Sequence, residues 1–177
     1  MQPNFTTREA LPGEFEALGQ LMIDVYAQLD DFPGRQAWPE YYEMLANIGL
    51  FTEKPGTKLI IALSPDNELW GGVVYFDNMA HYASGGEEID IENASGIRLL
   101  AVHTNARGQG VGKGLTLACI QLAKDKQHNQ VILHSTRVMK VAWAMYEGMG
   151  FKRFEQLDFK FQDFSIFGFR LNIQDYA

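Results

Sequence analysis

The chain has 177 residues, a length that suits one domain spanning residues 1–177, with a core burying about two-thirds of the unfolded surface. Hydrophobic residues make up 46% and charged residues 21%, which excludes a disordered chain. The formal net charge of -7 argues against broad nucleic-acid binding, which needs a basic face, and is compatible with an amine or cationic substrate.

Cys119 is the only cysteine, so an intramolecular disulfide and a multi-cysteine metal site are both excluded. Its position in an apolar helical pattern reads as a buried structural thiol. His81, His128 and His134 lack a metal-site spacing: His128 reads as a solvated helix-end residue, and His134, at a strand end near Ser135, reads as a packed residue, with a place facing the cleft as the alternative. The start, Met1-Gln2-Pro3-Asn4, has no basic region followed by an apolar run, and no apolar stretch approaches the roughly 20 residues of a membrane span. A reducing, cytoplasmic setting without membrane association is the expectation.

Glu14 to Leu29 reads as a helix, with Phe15, Leu18, Leu21, Met22, Val25 and Leu29 at helical spacing. Asp30 to Gly34 breaks it, and Pro39 suits the first turn of a second helix running to Leu50. Lys58–Leu63 and Glu68–Phe76 are apolar runs separated by Ser64-Pro65-Asp66-Asn67, the pattern of an antiparallel pair. Asp77 to Ser95 is polar and acidic and reads as a long loop. Ile97 to Val102 is a strand, followed by a glycine-rich loop and a helix from Gly110 to Lys126. Gln130 to His134 is a further strand, and Val138 to Glu147 a short helix ended by Gly148 and Gly150. Phe151–Phe159 and Phe164–Ile173 read as a closing antiparallel pair. The order predicts an α+β fold with one parallel crossover.

Gly108, Gly110, Gly112 and Gly114 alternate between that strand and the helix start. Glycine lets a ligand approach the backbone, and a helix N-terminus offers unpaired N–H groups and partial positive charge. Together they form a pyrophosphate cradle, to which Arg107 and Lys113 add charge. A Walker loop needs Gly at 107 and Ser or Thr at 114, where Arg107 and Gly114 stand. A Rossmann fingerprint needs Gly at 113 or 115, where Lys113 and Leu115 stand.

The pattern that fits is R-x-x-G-x-G. The segment from Leu99 to Gly112 resembles the acyl-CoA signature of the GNAT superfamily of N-acetyltransferases. Independently, Ala142, Tyr146 and Gly150-Phe151 resemble the superfamily's A-x-x-x-Y-E-x-x-G-F element. The resemblance implies a mixed, mostly antiparallel central sheet flanked by helices, with splayed strands at the coenzyme site. It implies that backbone N–H groups of Arg107, Gly108, Gln109, Gly110, Val111, Gly112 and Lys113 hold the coenzyme A pyrophosphate. It further implies that Leu100, Ala101 and Val102 leave their neighbour strand and hydrogen-bond the pantetheine. Tyr146 matches the tyrosine that protonates the leaving thiolate.

Two positions depart from the family pattern. Met139 stands where Asn is common, and Gly96 stands near the place of a carboxylate base. Glu92, Asp90, Glu88 and His103 are the remaining candidates for the base, with Glu92 ranked first because it is the acid nearest before the strand. Trp38, Tyr41, Tyr42 and Phe32 are candidates for the acceptor side. The resulting expectation is an acetyl-CoA-dependent N-acetyltransferase without a metal, acting by direct attack of a small-molecule or peptide amine, with a homodimer as one expected assembly. The rival is a coenzyme A-binding sensor or interaction module that has lost catalysis.

Overall fold

A computed structural model describes residues 2–83 and 89–176. Its sheet has eight strands among the described residues: β1 (Thr6–Glu9), β2 (Thr57–Leu63), β3 (Leu69–Phe76), β4 (Ala94–Val102), β5 (Gln130–Ser135), β6 (Lys152–Arg153), β7 (Phe159–Phe161) and β8 (Phe164–Asn172). The spatial order is β1-β2-β3-β4-β5-β8-β6, with β7 also on β8. Among the described residues, only β4 and β5 pair in parallel, and α3 (Val111–Asp125) makes the crossover between them. The other helices are α1 (Phe15–Ala27), α2 (Pro39–Ala46) and α4 (Lys140–Gly148).

The central strands are apolar on both faces because both faces are covered. Leu59, Ile61 and Leu63 of β2 join the core beneath α1 and α2, while Ile60 and Ala62 join the core that holds Val111, Leu115 and Cys119 of α3. In β3, Val74 and Phe76 go to the first core, Val73 and Tyr75 to the second. This period of two lets one strand serve two layers. Cys119 is fully buried, as its place in the helical stripe predicted. Among the described residues, no helix is long and apolar enough to cross a membrane.

Several boundaries differ from the sequence expectation. The first strand, β1, was not visible, because Thr-Thr-Arg-Glu carries no apolar alternation. Its backbone register with Ile60–Leu63 and the Arg8–Glu14 ion pair hold it. Helix α2 stops at Ala46 rather than Leu50: the Asn47 side chain and backbone N–H both bond the Glu43 carbonyl, and Ile48–Glu53 tightens into a 3-10 turn. The expected strand from Phe151 to Phe159 divides into β6, a 3-10 turn at Glu155–Leu157, and β7. The guanidinium of Arg153 grips Asp158 at 2.6 and 3.0 Å, and Asp158 accepts the Gly168 N–H at 2.7 Å, folding the chain back on β8. Strand β4 begins at Ala94 rather than Ile97. Glu87 and Glu88 lie outside the described residues.

Candidate active site

Strand β4 is bent where the site forms. Its register with β3 passes from Val74↔Arg98 to Gly72↔Ala101, so Leu99 and Leu100 share one partner position, and Leu99 takes φ +59°. A leucine in the left-handed region is unfavourable by about 1–2 kcal/mol, and here it marks a β-bulge. On the other side, pairing of β4 with β5 ends at Ile97↔Leu133, although β4 continues to Val102. Leu99 to Val102 therefore diverge from β5, as the resemblance implied. The Leu100 carbonyl accepts a hydrogen bond from the Tyr26 hydroxyl at 2.9 Å.

The glycine loop closes the end of this divergence. Gly108 and Gly110 have φ +77° and +80°, which favours glycine, and a side chain on either would meet nothing within 4 Å. Gly110 is the N-cap of α3, and the Gly114 N–H bonds the Gly110 carbonyl. The N–H groups of Val111, Gly112 and Lys113 precede that first helical bond. Arg107, Gln109 and Lys113 are exposed, while Val111 is buried against the sheet. A Cβ at Gly112 would lie 3.4 Å from Met145 Sδ, 3.6 Å from Val102 and 3.8 Å from Leu100. The loop, the diverging strand and α4 thus meet at one point.

A cleft of about 1380 Å³ opens beside that point. Tyr146 of α4 lines it together with Leu100, Met139 and Ala142. Burial, with smaller contributions from Cys119 and Tyr82, pushes the Tyr146 phenol well above its usual value, so it stays protonated. Phe32, Trp38 and Tyr41 form an aromatic part of its wall; Tyr42 does not, being buried with its hydroxyl on the Pro33 carbonyl. The β7–β8 hairpin reaches across to this wall: Trp38 meets Phe161 edge-on at 5.0 Å, Phe32 meets Phe164 at 5.6 Å, and Trp38 Nε1 donates to Gln162 at 3.2 Å.

The acids and histidines named from sequence fall in different places. Asp90 lines the cleft, whereas Glu92 is exposed and outside its walls. His103 accepts the Asn105 N–H on Nδ1 and so caps the turn before the loop. His128 is not simply solvated: its Nδ1 meets Ser95 Oγ at 2.8 Å, and Ser95 also meets the Tyr75 hydroxyl at 2.7 Å. His134 is packed and also lines the cleft, so both sequence readings of it hold.

Three cleft residues escaped the sequence reading. Tyr82 sat in a segment read as loop. Tyr26 looked like one more apolar position of α1. Arg98 did carry a signal, since a charge inside an apolar strand needs a reason. Burial holds its guanidinium below the usual value, partly opposed by Tyr82, Tyr41 and Tyr26, and it donates to the Tyr82 carbonyl at 3.2 Å.

A model of the acetyltransferase (GNAT) family matches residues 23–151. The chain belongs to this GNAT family. Solved members share the fold over nearly the whole chain. A GNAT acetyltransferase from Staphylococcus aureus Mu50 superposes with a TM-score of 0.73 at 17% identity, over 96% of this chain and 99% of that one. The paia N-acetyltransferase of Thermoplasma acidophilum, solved in complex with coenzyme A, gives 0.68 at 19% identity over 95% and 98%. Curated relatives match over shorter stretches. N-acetyltransferase 8B of Mus musculus is 39% identical over 54 residues, 30% of this chain and 23% of that protein. N-acetylaspartate synthetase of Xenopus tropicalis is 30% identical over 88 residues, 50% of this chain and 32% of that protein. The matches thus span no more than 32% of either relative. Within this family fold, Leu99 and Leu100 of the diverging strand and Tyr146 of α4 line one cleft, and the glycine loop adjoins it through Gly112.

Proposed function

We propose that this GNAT acetyltransferase takes acetyl-CoA as co-substrate and transfers the acetyl group to an amine by direct attack within a ternary complex. The observation that carries this reading is the meeting of Gly112 with Leu100, Val102 and Met145, one residue from Tyr146, at the point where β4 leaves β5.

The residues present fit the coenzyme. The open left-handed glycines at 108 and 110 let a pyrophosphate approach the backbone, and N–H groups from Val111 to Lys113 face it at the positive end of α3. Arg107 and Lys113 add charge from the exposed side. Ala101 and Val102, on the stretch free of β5, offer backbone groups to the pantetheine, beside the Leu100 carbonyl that Tyr26 also uses. The coenzyme supplies the activated thioester.

Tyr146 serves as general acid. Its burial keeps the proton on the phenol, so an O–H is available to the sulfur as the C–S bond breaks. No acyl-enzyme is required, because Cys119 is buried inside α3 and burial pushes its thiol far up. The aromatic wall of Phe32, Trp38 and Tyr41 holds the body of the amine acceptor.

Release of free thiol from acetyl-CoA across a panel of small amines and peptides tests the reading. Turnover with at least one amine is the expected result. Tight coenzyme binding with no thiol release across the panel overturns it in favour of a non-catalytic coenzyme-binding module.

A further inference from the structure

Gly96 stands where the GNAT resemblance expects a carboxylate base, and of the candidates named from sequence Asp90 lines the cleft while Glu92 and His103 do not. The space beside Gly96 is taken by an aromatic ring: a Cβ at that position would lie 2.2 Å from Tyr82 Cδ2 and 2.8 Å from its Cε2. The Tyr82 hydroxyl lies 2.6 Å from Nδ1 of His134, and the two rings stack at 5.6 Å with 29° between planes. Both residues line the cleft. We propose that Tyr82 and His134 form a proton relay that accepts the amine proton in place of the carboxylate missing at Gly96. This rests on the transferase reading above.

The hydrogen bonds determine which way the relay runs. His134 Nε2 is 2.9 Å from the Leu157 carbonyl. A carbonyl only accepts, so Nε2 carries the hydrogen and donates it. In the neutral ring Nδ1 is then bare, and the Tyr82 hydroxyl donates to it. The Tyr82 oxygen keeps lone pairs for an incoming proton.

The surroundings keep His134 in its basic form. Burial, and the Arg98 guanidinium on β4, hold the imidazole below its usual value; the Leu157 carbonyl and the Asp158 carboxylate, from the segment before β7, act in the opposite direction. Asp158 is itself occupied by Arg153 and the Gly168 N–H. The Phe159 ring closes the remaining side edge-on at 5.3 Å. Burial pushes the Tyr82 phenol up, which disfavours a free phenolate and favours handing one proton on as another arrives. Tyr82 also raises the Tyr146 phenol through charge interaction, so relay and acid share one chamber.

The step balances. An ammonium acceptor loses one N–H proton to Tyr82 Oη, while the original Tyr82 proton passes to His134 Nδ1 and forms an imidazolium. The freed nitrogen lone pair attacks the thioester carbonyl carbon, forming the C–N bond. The C–S bond breaks, and the thiolate takes the Tyr146 proton. The second amine proton reprotonates Tyr146, and His134 releases its proton to solvent. One amide, one thiol and one proton leave.

The test is kcat/KM against pH for the intact chain, Tyr82→Phe and His134→Gln, using acetyl-CoA and the best amine of the panel, with acetyl-CoA affinity measured by calorimetry. The wild type is expected to show an acid-side inflection below about 6.5, the ordinary histidine value. Both variants are expected to lose about 100-fold or more in kcat/KM, to lose that inflection, and to keep coenzyme affinity within about threefold. Loss of packing alone would lower stability and leave the inflection in place. Turnover by the wild type with the inflection retained in both variants overturns the relay and leaves the transferase reading standing. A wild type that binds acetyl-CoA and releases no thiol with any amine overturns both.

Discussion

The ring of Tyr82 and the bare backbone of Gly96 are complementary: a Cβ at Gly96 would overlap the ring at 2.2 Å and approach Met79 Sδ to 3.1 Å. A carboxylate at position 96 and a phenol in the position of Tyr82 are therefore mutually exclusive. Gly96→Glu, which restores the family's acidic residue on paper, is expected to impair the protein. Displacing a ring that is 2% exposed calls for backbone or rotamer shifts of the size that destabilise by about 1–3 kcal/mol. Urea denaturation of Gly96→Glu and the parent chain checks this, alongside a turnover assay in which the variant is slower.

Gly110→Asp separates folding from binding. The φ of +80° makes any side chain unfavourable by about 1–2 kcal/mol, yet nothing lies within 4 Å to clash with it. The fold is expected to survive, as seen by circular dichroism, while a negative charge at the N-terminus of α3 repels pyrophosphate. Calorimetry should show at least a 100-fold loss of acetyl-CoA affinity, which is about 2.7 kcal/mol. Normal binding removes the loop from the coenzyme site.

Tyr146→Phe keeps the ring edge-on to Phe151, 5.6 Å between centroids, and removes only the hydroxyl. Turnover is expected to fall by about 100-fold or more with coenzyme affinity unchanged. An unchanged kcat takes Tyr146 out of the chemistry.

Cys119→Ala distinguishes direct attack from a covalent acyl-enzyme. The thiol has no exposed surface and burial pushes it away from thiolate. Turnover is expected to persist in the variant, and the folded parent chain should resist maleimide labelling until denatured. Loss of turnover in a folded Cys119→Ala chain would require a covalent route.

Acid sensitivity should arise partly at the first strand. The Glu14 carboxylate accepts from both terminal guanidinium nitrogens of Arg8, at 2.6 and 2.8 Å, and from the Leu11 N–H at 2.8 Å, which together lower it to about 2 from 4.5. A group depressed on folding stabilises the native state above its unfolded value and loses that contribution as pH falls through the folded one. The contribution is thus full above about 4.5 and gone near 2. Glu14→Gln is expected to be less stable than the parent at pH 7, with the difference shrinking in that window, as thermal unfolding at several pH values will show.

Much of this site was legible because its pieces are local. The glycines from 108 to 114 and the Ala142–Tyr146–Phe151 element are contiguous patterns whose spacing reflects one turn or one helix face. The central strands were legible because two covered faces demand uninterrupted apolar runs. β1 was not, since its place depends on hydrogen bonds to β2 and on Arg8 meeting Glu14. The division of the expected Phe151–Phe159 strand was not, since it depends on Arg153 reaching Asp158 and Gly168.

The sequence alone determined the family and the absence of a carboxylate at Gly96, and it carried the glycine-loop pattern on which the coenzyme proposal rests, because each is a property of residues adjacent along the chain. Only the tertiary structure decided what fills the place of that carboxylate. Tyr82, Gly96, His134 and Leu157 lie on four separated segments, and no periodicity links them. Their relation exists only once β4 and β5 pair in parallel, the hairpin folds back over the cleft, and the Leu157 carbonyl selects which nitrogen of His134 remains basic.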